Sequence, residues 1–154
     1  MDVKTENEKK DVKTENEKKK EYLWGYRRAQ RKKQRLEEQL QELRINKMCP
    51  SVVQDGMPHG SGGGDLSVYA AKVDDLEGEI KEAADECIEH LKSIRDKIEQ
   101  LQDENEKDVL NYRYIRGMKW EDIAVKMGYS WRRIHYIHSS ALNNFHFEKV
   151  HRNA

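Results

Sequence analysis

Apolar residues recur every seven positions through the middle of this 154-residue chain. A companion apolar position drifts by one residue toward the end of the run, as expected of a straight helix with 3.6 residues per turn. The pattern predicts one helix of about 36 residues. The seven-residue series consists of Leu66, Val73, Ile80, Cys87, Ile94 and Leu101.

Residues 21–47 form a second predicted helix, in which only Gly25 disfavours helical structure. Its heptad pattern is imperfect, because Lys33 and Lys47 fall in the apolar seam. Residues 49–65 lie between the two helices and hold both prolines and a Gly-Ser-Gly-Gly-Gly run, which is typical of a flexible connector. We therefore predict a coiled-coil-like antiparallel hairpin over residues 21–104.

The first residues of the chain are a polar tandem repeat, since residues 2–10 recur at 11–19. Each copy contributes a single valine. That little apolar surface cannot offset the conformational entropy lost on ordering. We predict that residues 1–20 are disordered or loosely helical.

Three short amphipathic segments follow the hairpin, and Gly117 and Gly128 separate them. Ala124 and Gly128 suit a helix-turn-helix, because close helix crossing needs a small side chain and the tight turn needs a positive φ. The last segment then buries two isoleucines that lie one turn apart, Ile134 and Ile137, against Ile123 and Met127. The sequence predicts an all-α fold with a trihelical helix-turn-helix over residues 105–146 and a tail over 147–154.

The face of the last helix opposite these isoleucines is basic and aromatic. In helix-turn-helix proteins, the start of this helix meets base edges in the major groove of DNA. Arginine can donate two hydrogen bonds to guanine, and serine or histidine can bond bases or phosphates. Our candidate DNA-binding residues are Lys119, Ser130, Trp131, Arg132, Arg133, His135, Tyr136 and Ser139, with Lys126 as a further candidate phosphate contact.

Charge is unevenly distributed although the net charge is zero. Residues 49–106 carry 15 acidic and 5 basic side chains, whereas residues 107–154 carry 4 acidic and 9 basic ones. Residues 21–48 are also basic, with 8 basic side chains against 4 acidic. Locally basic surfaces attract polyanions, which favours double-stranded DNA as a partner.

The charged fraction of 38% exceeds the apolar fraction of 36%, so one large buried core is not expected. No run approaches the roughly 18 apolar residues of a membrane span, and we expect no membrane partner. Cys49 and Cys87 form neither a disulfide framework nor a zinc motif, which favours a cytoplasmic location. We expect no metal site, no cofactor and no enzymatic activity, because no catalytic set of side chains is brought together by the predicted helices.

The C-terminal segments resemble region four of sigma-70-type factors. The resemblance is carried by Leu110-x-x-Arg113-Tyr114-Ile115-x-Gly117-x-x-Trp120-Glu121-Asp122-Ile123-Ala124 and continues through Met127-Gly128-Tyr129-Ser130, Ile134, His138 and Ala141-Leu142. The layout from Tyr22 to Phe145 is similar to that of the ArpU/RinA-like phage and prophage regulators of Gram-positive bacteria.

This resemblance implies control of phage late genes in the nucleoid of a bacterial host cell. It implies that the helix after Ser130 reads promoter DNA and that the domain contacts RNA polymerase. No segment resembles the promoter-melting region of a complete sigma factor. We also expect a homodimer, since one small domain makes few phosphate contacts.

Two other functions fit the same features. A small terminase subunit for phage DNA packaging also joins a helix-turn-helix to oligomerising helices, and would form a ring. A helical adaptor would use the trihelical end to bind a protein and never DNA.

Overall fold

The computed structural model describes residues 14–48 and 63–147, and every regular element among them is helical. The all-α prediction is confirmed. Helix α1 covers residues 14–23, and a single turn residue separates it from α2. The remaining elements are α2 (Gly25–Met48), α3 (Gly63–Ile98), α4 (Glu104–Leu110), a π-helical turn (Asn111–Ile115), α5 (Trp120–Met127) and α6 (Trp131–Asn144).

The described residues fall into two compact units. The hairpin unit is Ala29–Ile88, and the terminal unit joins residues 14–28 to residues 89–147. The division therefore lies inside α2 and α3, whereas our boundary between hairpin and helix-turn-helix falls between residues 104 and 105. The physical reason is that Leu23, Ile94 and Ile98 pack into the same core as α4 and α6.

The hairpin unit is antiparallel, as predicted. Lys32 forms an ion pair with Glu86 at 3.0 Å, and Arg44 forms one with Glu77 at 2.8 Å. Helix α3 has 36 residues, the length that the heptad pattern indicates. It already includes Gly63, so the last three residues of the predicted connector are helical. Residues 49–62 lie outside the described part of the chain.

The prediction of N-terminal disorder is wrong for residues 14–20. They are helical, and Lys19 is buried. Its Nζ donates to the carbonyl oxygen of Leu142 at 2.7 Å and to that of Asn143 at 3.5 Å. The ammonium thus satisfies carbonyls that lack partners at the end of α6, where a positive charge is favoured. Residues 1–13 and 148–154 lie outside the described residues.

The terminal unit has two neighbouring apolar cores. One contains Tyr114, Leu142 and Phe145 together with residues of α1 and α3. The other joins α5 and α6 through Ile123, Ala124, Ile134 and Ile137, with Val109 beneath them. The second core fixes the angle at which α6 crosses α5.

Gly117 and Gly128 both adopt left-handed backbone geometry, with φ of 68° and 69°. A side chain at either position costs about 1–2 kcal/mol in this region. The surroundings differ, because a Cβ at Gly117 would lie 2.5 Å from Nη2 of Arg27, whereas nothing lies within 4 Å of one at Gly128. We expect Gly117→Ala and Gly128→Ala each to cost about 1–2 kcal/mol in urea unfolding, because the flexible end of the Arg27 side chain can move away from a new Cβ.

The double variant Gly117→Ala/Arg27→Ala tests whether the left-handed backbone alone sets the cost. The added cost of Gly117→Ala should be about the same with Arg27 present or replaced by alanine. A large cost for Gly117→Ala that Arg27→Ala relieves would contradict this account.

Candidate nucleic-acid interface

A tight turn joins α5 to α6. The backbone N–H of Tyr129 donates to the carbonyl of Ala124 at 3.1 Å, and that of Gly128 donates to Val125 at 3.3 Å. These two bonds form a Schellman motif, which needs the left-handed residue that glycine supplies. Ser130 then caps α6, since its Oγ accepts from the N–H of Arg133 at 3.1 Å. Three residues therefore connect the helices, as a helix-turn-helix requires.

One face of α6 is buried. Ile134 and Ile137 pack against Ile123 and Ala124, with Met127 at the edge of the same cluster. This contact confirms the core that the sequence spacing predicts. The buried positions of α6 are Ile134, Ile137, His138, Ala141 and Leu142.

The other face of α6 is open to solvent. Trp131 is 56% exposed and Tyr136 is 67% exposed. Arg132, Arg133 and Ser139 are also exposed, and no acidic residue occurs from residue 130 to residue 147. The free N–H groups of the first turn add a positive partial charge at the same end. This end of α6 is therefore attractive to an anion.

The two adjacent arginines of α6 have different surroundings. The guanidinium of Arg133 lies over the rings of Tyr136 and Tyr129, at 5.5 and 6.0 Å from their centroids. Arg132 is exposed and has no partner among the described residues. Arg133 is thus held in place by aromatic contacts, whereas Arg132 is free to bond a ligand.

His135 departs from the exposed face on which we placed it. It is half-buried, with its ring 3.9 Å from that of Trp131 and 4.6 Å from that of Trp120. Its Nε2 is buried and has no hydrogen-bond partner among the residues that the structure describes. His135 follows the buried Ile134 by one position. Its side chain lies toward α5, where it contacts Trp120. Its contacts make it a support for Trp131 and not an open side chain.

Lys119 and Ser130 immediately precede α5 and α6. Lys119 is exposed immediately before α5, and its side chain makes no cap hydrogen bond. The Oγ of Ser130 accepts the capping bond, which leaves its hydroxyl hydrogen able to donate. Lys126 lies over the ring of Tyr112 at 5.4 Å, and Arg116 lies over the same ring at 5.4 Å.

The sequence reading missed a buried polar pair beneath α6. Nε2 of His138 and the hydroxyl of Tyr114 share a hydrogen bond of 2.9 Å. Burial, reinforced by Lys20, His135 and Arg113, lowers the pKa of His138 from 6.5 to about 4. The imidazole is therefore neutral at pH 7. Helical spacing could have marked it, since His138 follows Ile134 by four residues and precedes Ala141 by three, on the buried side of α6.

Glu106 was also missed. It is buried in α4, and its carboxylate accepts from Ser140 Oγ at 2.6 Å and from Asn144 Nδ2 at 3.0 and 3.2 Å. These bonds fix the second half of α6 against α4. Surface glutamates are so common in this chain that no sequence signal singles this one out.

Arg113 joins the aromatic residues beside α5. Its guanidinium lies over Trp120 at 4.5 Å and over Trp24 at 5.3 Å, and it donates to the carbonyl of Met118 at 3.0 Å. Trp120 in turn contacts His135 and His138. This group couples α5 and the turn residue between α1 and α2 to α6, the helix that carries Arg132 and Arg133.

Within the described ranges, no three His, Cys, Asp or Glu side chains are grouped closely enough to hold a metal ion. No helix in that part of the chain has the length and apolar character needed to cross a membrane. Searches of protein-family models, curated proteins and solved structures find no match to this chain.

Proposed function

We propose that this chain is a sequence-specific DNA-binding regulator of transcription, with α6 as its recognition helix. The two-sided construction of α6 carries the proposal. One side is locked into a core by Ile134 and Ile137, and the other presents Arg132 and Arg133 beside exposed aromatic rings. A capped helix of 14 residues with this arrangement fits the major groove of B-form DNA.

Arg132 is the residue that we assign to base recognition. It lies in the first turn of α6 and has no competing partner among the described residues. Its planar guanidinium matches the two acceptors of guanine in the major groove. Arg133 has a preset position over two tyrosines and loses less side-chain entropy on binding.

Lys119 and Ser130 are assigned to the phosphate backbone. A lysine is a flexible point charge, which suits electrostatic contact and carries no sequence information by itself. Tyr136 and Ser139 lie further along the same exposed face, where they can meet neighbouring bases or sugars. His135 is assigned a positioning role, because its ring lies between two tryptophans.

The biological setting of the proposal comes from the sequence resemblance. On that basis the regulated genes are phage or prophage late genes, RNA polymerase is a partner, and the site of action is the nucleoid in the cytoplasm of a bacterial cell. The chain acts as a homodimer, which doubles the phosphate contacts available to one small domain.

Selection of bound sequences from random duplex DNA tests the proposal. For the selected site, Arg132→Ala should weaken binding by roughly 10- to 100-fold and relax the preference at one base pair. Lys119→Ala should weaken binding to all sequences alike. It should also make the slope of log K against log salt concentration less steep by about one, the contribution of one phosphate contact. The first effect reports base recognition and the second reports backbone contact.

Arg95→Ala is the matched control, because it removes one exposed arginine from α3 in the same unit. We expect its affinity and sequence preference to resemble those of the wild type. An Arg132→Ala protein with unchanged affinity and preference would remove α6 from the proposal.

Exposed Trp131 and Tyr136 favour a second candidate, the protein-binding adaptor. Large aromatic side chains are enriched at protein interfaces, where they act as anchors. For an adaptor, Trp131→Ala would abolish binding to RNA polymerase. Mobility-shift experiments would then find no DNA complex even at low salt.

A further inference from the structure

The hairpin unit has a groove along one side of its two helices. The groove has a volume of about 410 Å³ and is lined by residues from both α2 and α3. Leu43 and Leu76 form its apolar part, and both are only half-buried in the chain by itself. Two helices cannot fully cover the seam between them, so a further apolar surface is needed to exclude water from these leucines. Its lining residues are Gln39, Glu42, Leu43, Asn46, Lys72, Asp75 and Leu76.

The two helices of this unit carry opposite charge. Residues 29–48 of α2 have 6 basic and 3 acidic side chains, whereas residues 63–88 of α3 have 2 basic and 8 acidic ones. Only part of this charge is neutralised within the chain, through pairs such as Lys32–Glu86 and Arg44–Glu77. A surface of this kind is complementary to a second copy of itself, provided that α2 of one copy meets α3 of the other.

Exposed basic side chains of α2 lie in the same helical row as the groove residue Gln39. Arg35 and Arg31 precede Gln39 by four and eight residues, and therefore lie in the same row. Neither arginine has an ion-pair partner among the described residues. The basic end of the α2 edge is thus unpaired.

The edge of the groove that α3 contributes carries acidic side chains. Glu79 and Glu82 follow Asp75 by four and seven residues, in one row, and both are exposed without an ion-pair partner in the described chain. The Lys32–Glu86 pair sets an antiparallel register in which Glu82 lies level with Leu36, one position from Arg35, and Glu79 lies level with Gln39. Toward the other end of the groove the signs reverse, with Glu42 on α2 and Lys72 on α3.

We infer that this groove is the interface with a second copy of the chain. The two hairpins lie side by side and related by a two-fold axis, so that α2 of each copy packs on α3 of the other. With the axis parallel to the helices, Arg35 of one copy lies opposite Glu82 of its partner, and Arg31 and Glu79 lie further along the same two rows. Leu43 and Leu76 of both copies form a shared core. The inference rests on the proposed function in one respect: pairing would bring two recognition helices to one DNA site.

Charge exchange tests the pairing by sedimentation equilibrium without any DNA. The wild type should have twice the mass of one chain. The variant Arg31→Glu/Arg35→Glu and the variant Glu79→Lys/Glu82→Lys should each dissociate roughly tenfold or more readily, because like charges then face each other. An equimolar mixture of the two variants should regain the dimer mass, since each interface is again complementary.

Two single variants of α3 locate the interface. Leu76→Glu places a charge in the groove and should yield a monomer with helical circular dichroism. Ile88→Glu is the matched control, because Ile88 is 63% exposed on the same helix but lies about a third of a turn from the row of Leu76. Its mass should remain that of the dimer.

Three results would overturn the inference: a monomeric wild type, a ring of many copies, or charge variants that fail to associate on mixing. Because mass and DNA affinity are measured separately, a dimer that ignores DNA would refute only the proposed function. A monomer that recognises a specific DNA site would refute the pairing and the homodimer, and would leave DNA recognition by α6 in place.

Discussion

Replacing Glu106 by alanine is expected to lower the free energy of unfolding by about 3 kcal/mol. The carboxylate accepts hydrogen bonds from Ser140 and Asn144, and bonds to a charged group contribute about 1.5–3 kcal/mol each. Alanine would leave both donors without this partner at the contact between α4 and α6. Urea unfolding followed by circular dichroism measures the loss.

Glu104→Ala is the matched control, because the same residue type lies two positions earlier in the same helix. Glu104 is exposed and pairs only with Lys107 at 2.8 Å, an exposed (i, i+3) contact. Such surface pairs contribute less than about 1 kcal/mol. A cost for Glu106→Ala as small as that for Glu104→Ala would show that the Glu106 hydrogen bonds do not hold α6.

Acidification is expected to destabilise the terminal unit through His138. Its pKa is lowered to about 4 by burial, whereas the unfolded chain has the ordinary value of 6.5. The unfolded state therefore binds a proton first as the pH falls. Stability from this group is fully present above pH 6.5 and is lost as the pH falls toward 4. The loss between pH 7 and pH 5 should be about 2 kcal/mol.

The variant His138→Gln isolates this effect, since an amide can keep a hydrogen bond to Tyr114 but does not titrate. Between pH 7 and pH 5, the free energy of unfolding of this variant should fall by about 2 kcal/mol less than that of the wild type. Parallel curves for wild type and His138→Gln would contradict the assignment.

The helices of this chain could be predicted from local patterns. The heptad series indicates the 36 residues of α3, and Gly117 and Gly128 mark the ends of the short segments. Ser130 is recognisable as an N-cap before it is seen to accept the N–H of Arg133. These features depend on residues within one or two turns, where helical periodicity and backbone preference act directly.

The distribution of polar residues between surface and core could not be predicted in the same way. Lys19 belongs to a repeat that reads as disordered, yet it is buried against carbonyls at the end of α6. His135 follows the pattern of an exposed face but lies between Trp120 and Trp131. In the first case the partner is more than 120 residues away in sequence, so no local pattern contains it.

The sequence by itself determined the helical fold, the turn at Gly128 and the pair of isoleucines that α6 buries, because each follows from spacing along one helix or across one turn. Tertiary structure alone decided which charges are buried and which remain available. It placed residues 14–28 in the same unit as α6, enclosed Glu106 and His138, and left Arg132 open to solvent. The physical reason is that burial and hydrogen bonding of a charged side chain depend on elements that meet only when the chain folds.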